Sequence, residues 1–254
     1  MILLCSDWVS LKNCKKKILA NHYFEFKQFK ISQENCAMKV GTDGVLIGAW
    51  TNPGDAAKLL DIGTGTGLIA LMLSQVSKAN IDAVEIDAGA YYQALENVEQ
   101  STWKERISVI HTSLQDYIKS TVKKYDLIVT NPPFFTNSLK SGHDKRNLAR
   151  HNDSLSPEDL LTGVDHLLEP TGCFYLILPY VEAQLFIVDA ALYNLYCVRK
   201  TNILPLAHKK PSRIMMEFSR QRRKANENDL IIQLKSGEYT SDYRLLTDKF
   251  YLNF

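Results

Sequence analysis

From residue 57 onward, short apolar runs alternate with amphipathic stretches of helical length, and this alternation decides the fold class. Apolar runs fall at 57–61, 81–85, 107–111, 125–130 and 173–178, and helical patterning falls at 68–76, 88–100, 114–119, 156–168 and 181–193. Strands that alternate with helices build parallel βαβ units, with helices covering both faces of one sheet. The pattern then changes, because 196–204 and 213–219 read as strands with no helix between them. The expected architecture is therefore α/β, a three-layer sandwich around a seven-stranded, mostly parallel sheet that closes with an antiparallel hairpin at one edge. Ser156-Pro157-Glu158-Asp159 marks one helix start sharply, with a capping serine, proline at the first helical position and acids in the first turn.

No repeat, low-complexity tract or long linker divides the chain. Residues 21–254 read as a single domain in which 24–50 form an N-terminal cap and 226–254 a last strand and a helix near 243–251. Residues 1–20 are poorly related to the rest and read as an extension of undefined structure. The five cysteines are scattered without a CxxC pair, and no Cys/His grouping has the spacing of a metal site. Reduced thiols and a cytoplasmic setting follow. No apolar run approaches the ~18 residues of a membrane span.

Asp61-Ile62-Gly63-Thr64-Gly65-Thr66-Gly67 joins a strand to a helix. Glycines at Gly63, Gly65 and Gly67 let the chain turn sharply and let backbone approach a ligand where a Cβ would clash. In open α/β sheets, ligands bind beyond the carboxyl ends of the strands. A dinucleotide loop of the form G-x-G-x-x-G would need glycine at 68, where this chain has Leu68. Glu85 ends the next strand, 20 residues beyond Gly65, where a carboxylate can accept both hydroxyls of a ribose. Asp87 suits the N-cap of the helix that follows.

Asn131-Pro132-Pro133-Phe134 follows the apolar run 125–130. The Asn131 side-chain oxygen and the Pro132 carbonyl are two acceptors that can hold the hydrogens of a planar amino group and localise its lone pair. Pro132 and Pro133 lack N–H groups and stiffen the turn. Phe134 offers a ring face on which a base can stack, worth about 1–3 kcal/mol.

Net charge is only +2, but its distribution is uneven. Residues 199–224 hold nine basic side chains against one acid, Glu217, and residues 136–151 hold Lys140, Lys145, Arg146 and Arg150 against Asp144, with His143 and His151 beside them. Clustered positive charge on a near-neutral chain suits phosphate contact.

Met38-Lys39-Val40-Gly41-Thr42-Asp43-Gly44, the 61–67 loop, Asn131-Pro132-Pro133-Phe134, Ala149-Arg150-His151 and Phe250-Tyr251-Leu252 together resemble the bacterial valine-tRNA adenine-N6 methyltransferase family, over roughly residues 24–254. The resemblance implies a class I, Rossmann-like methyltransferase fold, S-adenosylmethionine as cofactor and tRNA as partner, with no membrane and no obligate protein partner. It implies transfer to the N6 amine of the adenine next to the anticodon. Lys39 and Thr42 would lie in a loop closing over the methionine end of the cofactor, with Asp61, Gly63, Gly65 and Gly67 nearby and Glu85 on the ribose. The family often carries Asp after the third strand to bind the adenine amine. Here Ser113 stands in that place, with Leu114 supplying a backbone N–H. Lys140, Lys145, Arg146, Arg150, His151, Lys209, Lys210, Arg213, Arg222 and Arg223 would meet the tRNA, and no residue is assigned to metal.

A protein glutamine N5-methyltransferase or an rRNA base N-methyltransferase would use the same acceptor pair. The basic excess at 199–224 argues against the protein substrate. The intact Asn131 argues against a non-catalytic RNA-binding module, and Leu68 against a dehydrogenase.

Overall fold

Every run expected to be a strand is one. β1 (Tyr23–Glu25) and β2 (Lys30–Ser32) form a separate antiparallel hairpin. The main sheet contains β3 (Lys58–Ile62), β4 (Asn80–Glu85), β5 (Ile107–His111), β6 (Tyr125–Thr130), β7 (Leu168–Pro179), β8 (Tyr196–Leu206), β9 (Arg213–Ser219) and β10 (Asn226–Gln233). Their spatial order is β10-β8-β9-β7-β6-β3-β4-β5. The helices are α1 (Thr42–Trp50), α2 (Leu68–Val76), α3 (Ala88–Glu99), α4 (Leu114–Ser120), α5 (Pro157–Leu167), α6 (Tyr180–Ala191) and α7 (Ser241–Thr247). The computed structural model describes residues 22–34, 36, 39–133 and 155–253. Expectations resting on residues 1–20, Met38, Phe134, Lys140, Lys145, Arg146, Arg150 and His151 fall outside them.

Three expectations need correction. Among the described residues the sheet has eight strands rather than seven, because β10 joins it in parallel with β8. The β8–β9 hairpin therefore does not form the edge. β9 lies between β7 and β8, antiparallel to both, and the six residues from Ile214 to Ser219 are buried. Burial on both faces is the mark of an interior strand. β10 begins with four exposed residues, Asn226, Glu227, Asn228 and Asp229, and a polar, charged stretch is what blunts a free sheet edge. Its side chains also bind β8, through Thr201 Oγ1 to Asn228 Oδ1 (2.6 Å), Asn202 Nδ2 to Asp229 Oδ1 (2.8 Å) and Lys200 to Glu227 (3.0 Å). α7 stops at Thr247, short of the expected 251.

The sheet separates two apolar layers. On one face, Leu59, Val129 and Ile177 pack with α1, α2, the hairpin residue Ile31 and Tyr243 of α7. On the other, Leu60, Ile128 and Phe174 pack with α4, α5 and α6. The N-terminal cap is thus part of the first layer. Ser156 caps α5 as expected, its hydroxyl accepting from Asp159 N while Asp159 accepts in return from Ser156 N.

The register brings four strand ends together. Ile62 pairs with Thr130 and with Val84, and Glu85 pairs with His111. The loops leaving β6, β3, β4 and β5 therefore emerge side by side. At about 4.8 Å per strand they span about 14 Å.

Candidate active site

These four loops enclose a cavity of about 230 Å³. Gly63 and Gly65 line it from β3, Glu85 from β4, Ser113 and Leu114 from β5, and Asn131, Pro132 and Pro133 from β6. Gly63 and Gly65 have φ of 68° and 60°, a region costly for any residue with a Cβ. A Cβ built on either would meet nothing within 4 Å, so bare backbone faces the cavity there. Gly67, at φ 81°, starts α2 and lies against Ala94 of α3.

Glu85 holds the loop in shape. Its Oε2 accepts from Gly65 N at 2.8 Å and its Oε1 from Asp87 N at 2.9 Å. Each carboxylate oxygen keeps a further lone pair, and the residue borders the cavity. Asp87 caps α3 as its spacing indicates, accepting from Ala90 N at 2.8 Å. The end of β6 is tied to β3 by Thr130, whose hydroxyl donates to Ile62 O at 2.7 Å. Asn131 follows directly and is half-buried.

Asp61 does not border the cavity. It is fully buried beneath the loop, where Oδ2 accepts from Thr64 Oγ1 at 2.6 Å and Oδ1 has no hydrogen-bond partner. Burial pushes its carboxyl from 3.8 up to about 7, partly offset by Thr64 and the Ala70 backbone and reinforced by Glu85. A folded-state value above the unfolded one means that the native state binds the extra proton. This contribution to stability is complete below about pH 4 and lost as pH rises through about 7. Asp61→Asn should flatten that slope. Urea unfolding at pH 5 and pH 8 checks it, and an equal pH dependence in variant and wild type would contradict the assignment.

Residues 40–170 match the family model described as Methyltransferase small domain. Over 239 residues the chain is 47% identical to the tRNA1(Val) (adenine(37)-N6)-methyltransferase of Trichodesmium erythraeum, covering 93% of this chain and 100% of that protein. The chain belongs to this family. The enzyme of the same name from Histophilus somni is 43% identical over 233 residues, covering 91% of this chain and 98% of that one. The fold agrees with that of a predicted O-methyltransferase from Agrobacterium tumefaciens, at a TM-score of 0.66 and 14% identity, over 82% of this chain and 96% of that one.

In the methyltransferase, one residue expected to meet the cofactor has another engagement. Ser113 is the N-cap of α4, its hydroxyl accepting from Asp116 N and donating to Asp116 Oδ2, both at 3.0 Å. Its side chain thereby serves the helix and keeps one acceptor lone pair, while the first N–H groups of α4, on Leu114 and Gln115, have no intrahelical partner. Lys39 is exposed and Thr42 opens α1, and neither borders the cavity. Sequence reasoning missed Cys36, Ile86, Thr112, Gln115 and Leu155, which do border it. Thr112 and Gln115 flank Ser113 and Leu114 and could have been found from them. Cys36 reaches the cavity from the N-terminal cap, and no local signal announced it.

The fold divides the basic run 199–224. Arg199 pairs with Glu217, Lys200 with Glu227, Arg213 with Asp43, Arg220 with Asp165 and Arg223 with Glu217. Lys209 and Lys210 are exposed in the turn between β8 and β9, at the end of the sheet where the cavity opens. Arg222 and Arg223 follow the other end of β9, which spans seven residues, or about 20 Å. They stand away from the cavity. Among the described residues there is no cluster able to hold a metal ion, and no helix is long and apolar enough to cross a membrane.

Proposed function

We propose that this methyltransferase moves a methyl group from S-adenosylmethionine to the exocyclic N6 amine of an adenine in a tRNA anticodon loop, the adenine beside the anticodon of valine tRNA. One observation carries the reading. Asn131 and Pro132 border the same cavity as Gly63, Gly65 and Glu85, so an acceptor pair for an amine and a nucleoside-type loop share one space.

The chain's residues fit that cofactor. The Gly63 and Gly65 backbone leaves room that a Cβ would fill. Glu85 keeps lone pairs for a ribose diol, and Leu114 N–H is free for a base nitrogen. When bound, the cofactor supplies an electrophilic methyl on a sulfonium. Asn131 Oδ1 and the Pro132 carbonyl accept the two amine hydrogens and draw the nitrogen toward tetrahedral geometry. The proton becomes acidic once the nitrogen is alkylated, so no strong base is needed, and catalysis rests on alignment. A stacked adenine must first leave its stack to enter such a site. Phe134 would then offer its ring.

The test is transfer of labelled methyl from S-adenosylmethionine to unmodified bulk tRNA, followed by nucleoside digestion and mass spectrometry. N6-methyladenosine is the expected product. Label in a protein glutamine or in rRNA alone would reject the tRNA assignment.

Lys209 and Lys210 are the basic residues of the second run best placed to meet tRNA phosphates. Reversing both to Glu should weaken tRNA binding and lower the slope of log K against log salt by about 1.5. Arg222→Glu should leave the slope unchanged. Fluorescence anisotropy between 50 and 200 mM salt measures both, and an effect confined to Arg222 would invert the assignment.

A further inference from the structure

Arg213 belongs to the basic run, yet its guanidinium turns inward. Its Nε donates to Asp43 Oδ2 at 2.9 Å and its Nη1 to Ser212 O at 3.0 Å. Both members of the Asp43–Arg213 pair are about three-quarters shielded, with side chains 25% and 28% exposed. The pair joins the start of β9 to the first turn of α1. That turn has no other side-chain fastening at its cap, because Gly41 occupies the N-cap position and offers none. The far end of α1 is held by a second arginine. Arg199 lies 3.6 Å over the Trp50 ring and donates to Trp50 O at 3.2 Å.

The first turn of α1 is the part that touches the site. A Cβ added to Gly44 would stand 3.1 Å from Leu68 Cδ2 and 3.8 Å from Asn131 Nδ2. Glycine at 44 lets the helix backbone close up behind the amide of Asn131 and the first residue of α2. The position of this turn therefore sets how firmly Asn131 is backed.

We infer that Asp43 and Arg213 act as positioning residues for Asn131, holding the first turn of α1 against the catalytic amide, and that Arg213 is not a tRNA contact. The inference rests on the proposed role of Asn131. Loss of the pair frees the helix start and lets the amide drift from alignment. A misplacement of about 1 Å at a reacting group costs up to about a hundredfold in rate. Substrate and cofactor affinity are carried elsewhere and stay.

The experiment measures kcat, KM for tRNA and the calorimetric Kd for S-adenosylhomocysteine in Arg213→Met, Asp43→Asn, Arg213→Lys and the charge swap Asp43→Arg with Arg213→Asp. Arg213→Met and Asp43→Asn should lower kcat about tenfold or more, with KM and Kd within about twofold. Arg213→Lys and the swap should recover much of the lost kcat. The swap also serves if Arg213→Met fails to fold. A raised KM with unchanged kcat would make Arg213 a phosphate contact and overturn the inference, as would unchanged kinetics or no recovery in either rescue variant. A wild-type protein that binds S-adenosylhomocysteine but methylates no tRNA would instead refute the proposed reaction.

Discussion

Asn131→Ala should lower methyl transfer to tRNA by two to three orders of magnitude while leaving the Kd for S-adenosylhomocysteine nearly unchanged. Removing one preorganised polar group aimed at developing charge costs about 10²–10³ in kcat. Here the charge develops on the amine nitrogen, and the lost group is one of only two acceptors assigned to it. Cofactor affinity should survive because the Gly63 and Gly65 backbone and Glu85 leave neighbouring strands, tied to β6 through Thr130 rather than through Asn131. Single-turnover kinetics with saturating cofactor separates the two effects. Normal turnover in the variant would sink the proposed mechanism.

Glu85→Ala should raise the Kd for S-adenosylhomocysteine about a hundredfold. A hydrogen bond to a charged group contributes about 1.5–3 kcal/mol, and this carboxylate serves the loop as well as the proposed ribose. Without it, Gly65 N and Asp87 N both lose their acceptor. Glu85→Gln should not be a mild replacement. Both carboxylate oxygens face backbone N–H groups, so a carboxamide must turn its own N–H₂ toward one of them. Titration calorimetry of the two variants against wild type measures this, and an unchanged Kd for either would unseat the ribose assignment.

The features legible in the sequence are those made by neighbours along the chain. The Gly63–Gly65 turn, the Asp87 and Ser156 caps and the Asn131-Pro132 corner each announce themselves within a few residues. The parallel core was legible for the same reason, since β3 through β7 alternate with helices. What escaped depends on contacts between distant segments. Nothing in 226–233 says that this strand binds β8, because its opening residues are polar and its register is set by Thr201 and Asn202. The run 199–224 looked like one basic patch because sequence cannot show that β9 carries its two ends apart, nor that Asp43, 170 residues away, binds Arg213.

The hydroxyl of Thr130 on Ile62 O bears on how such an enzyme can change over time. It locks the strand that presents the amine acceptors to the strand that presents the glycine loop, one rung apart in a rigid sheet. The residues that choose a polynucleotide need not share that rung. Lys209 and Lys210 sit in a surface turn that can lengthen, shorten or change charge without moving either strand. Methyl donor and acceptor geometry can thus be inherited intact while the recognised nucleic acid is exchanged, so substrate range is the trait most open to drift or redesign.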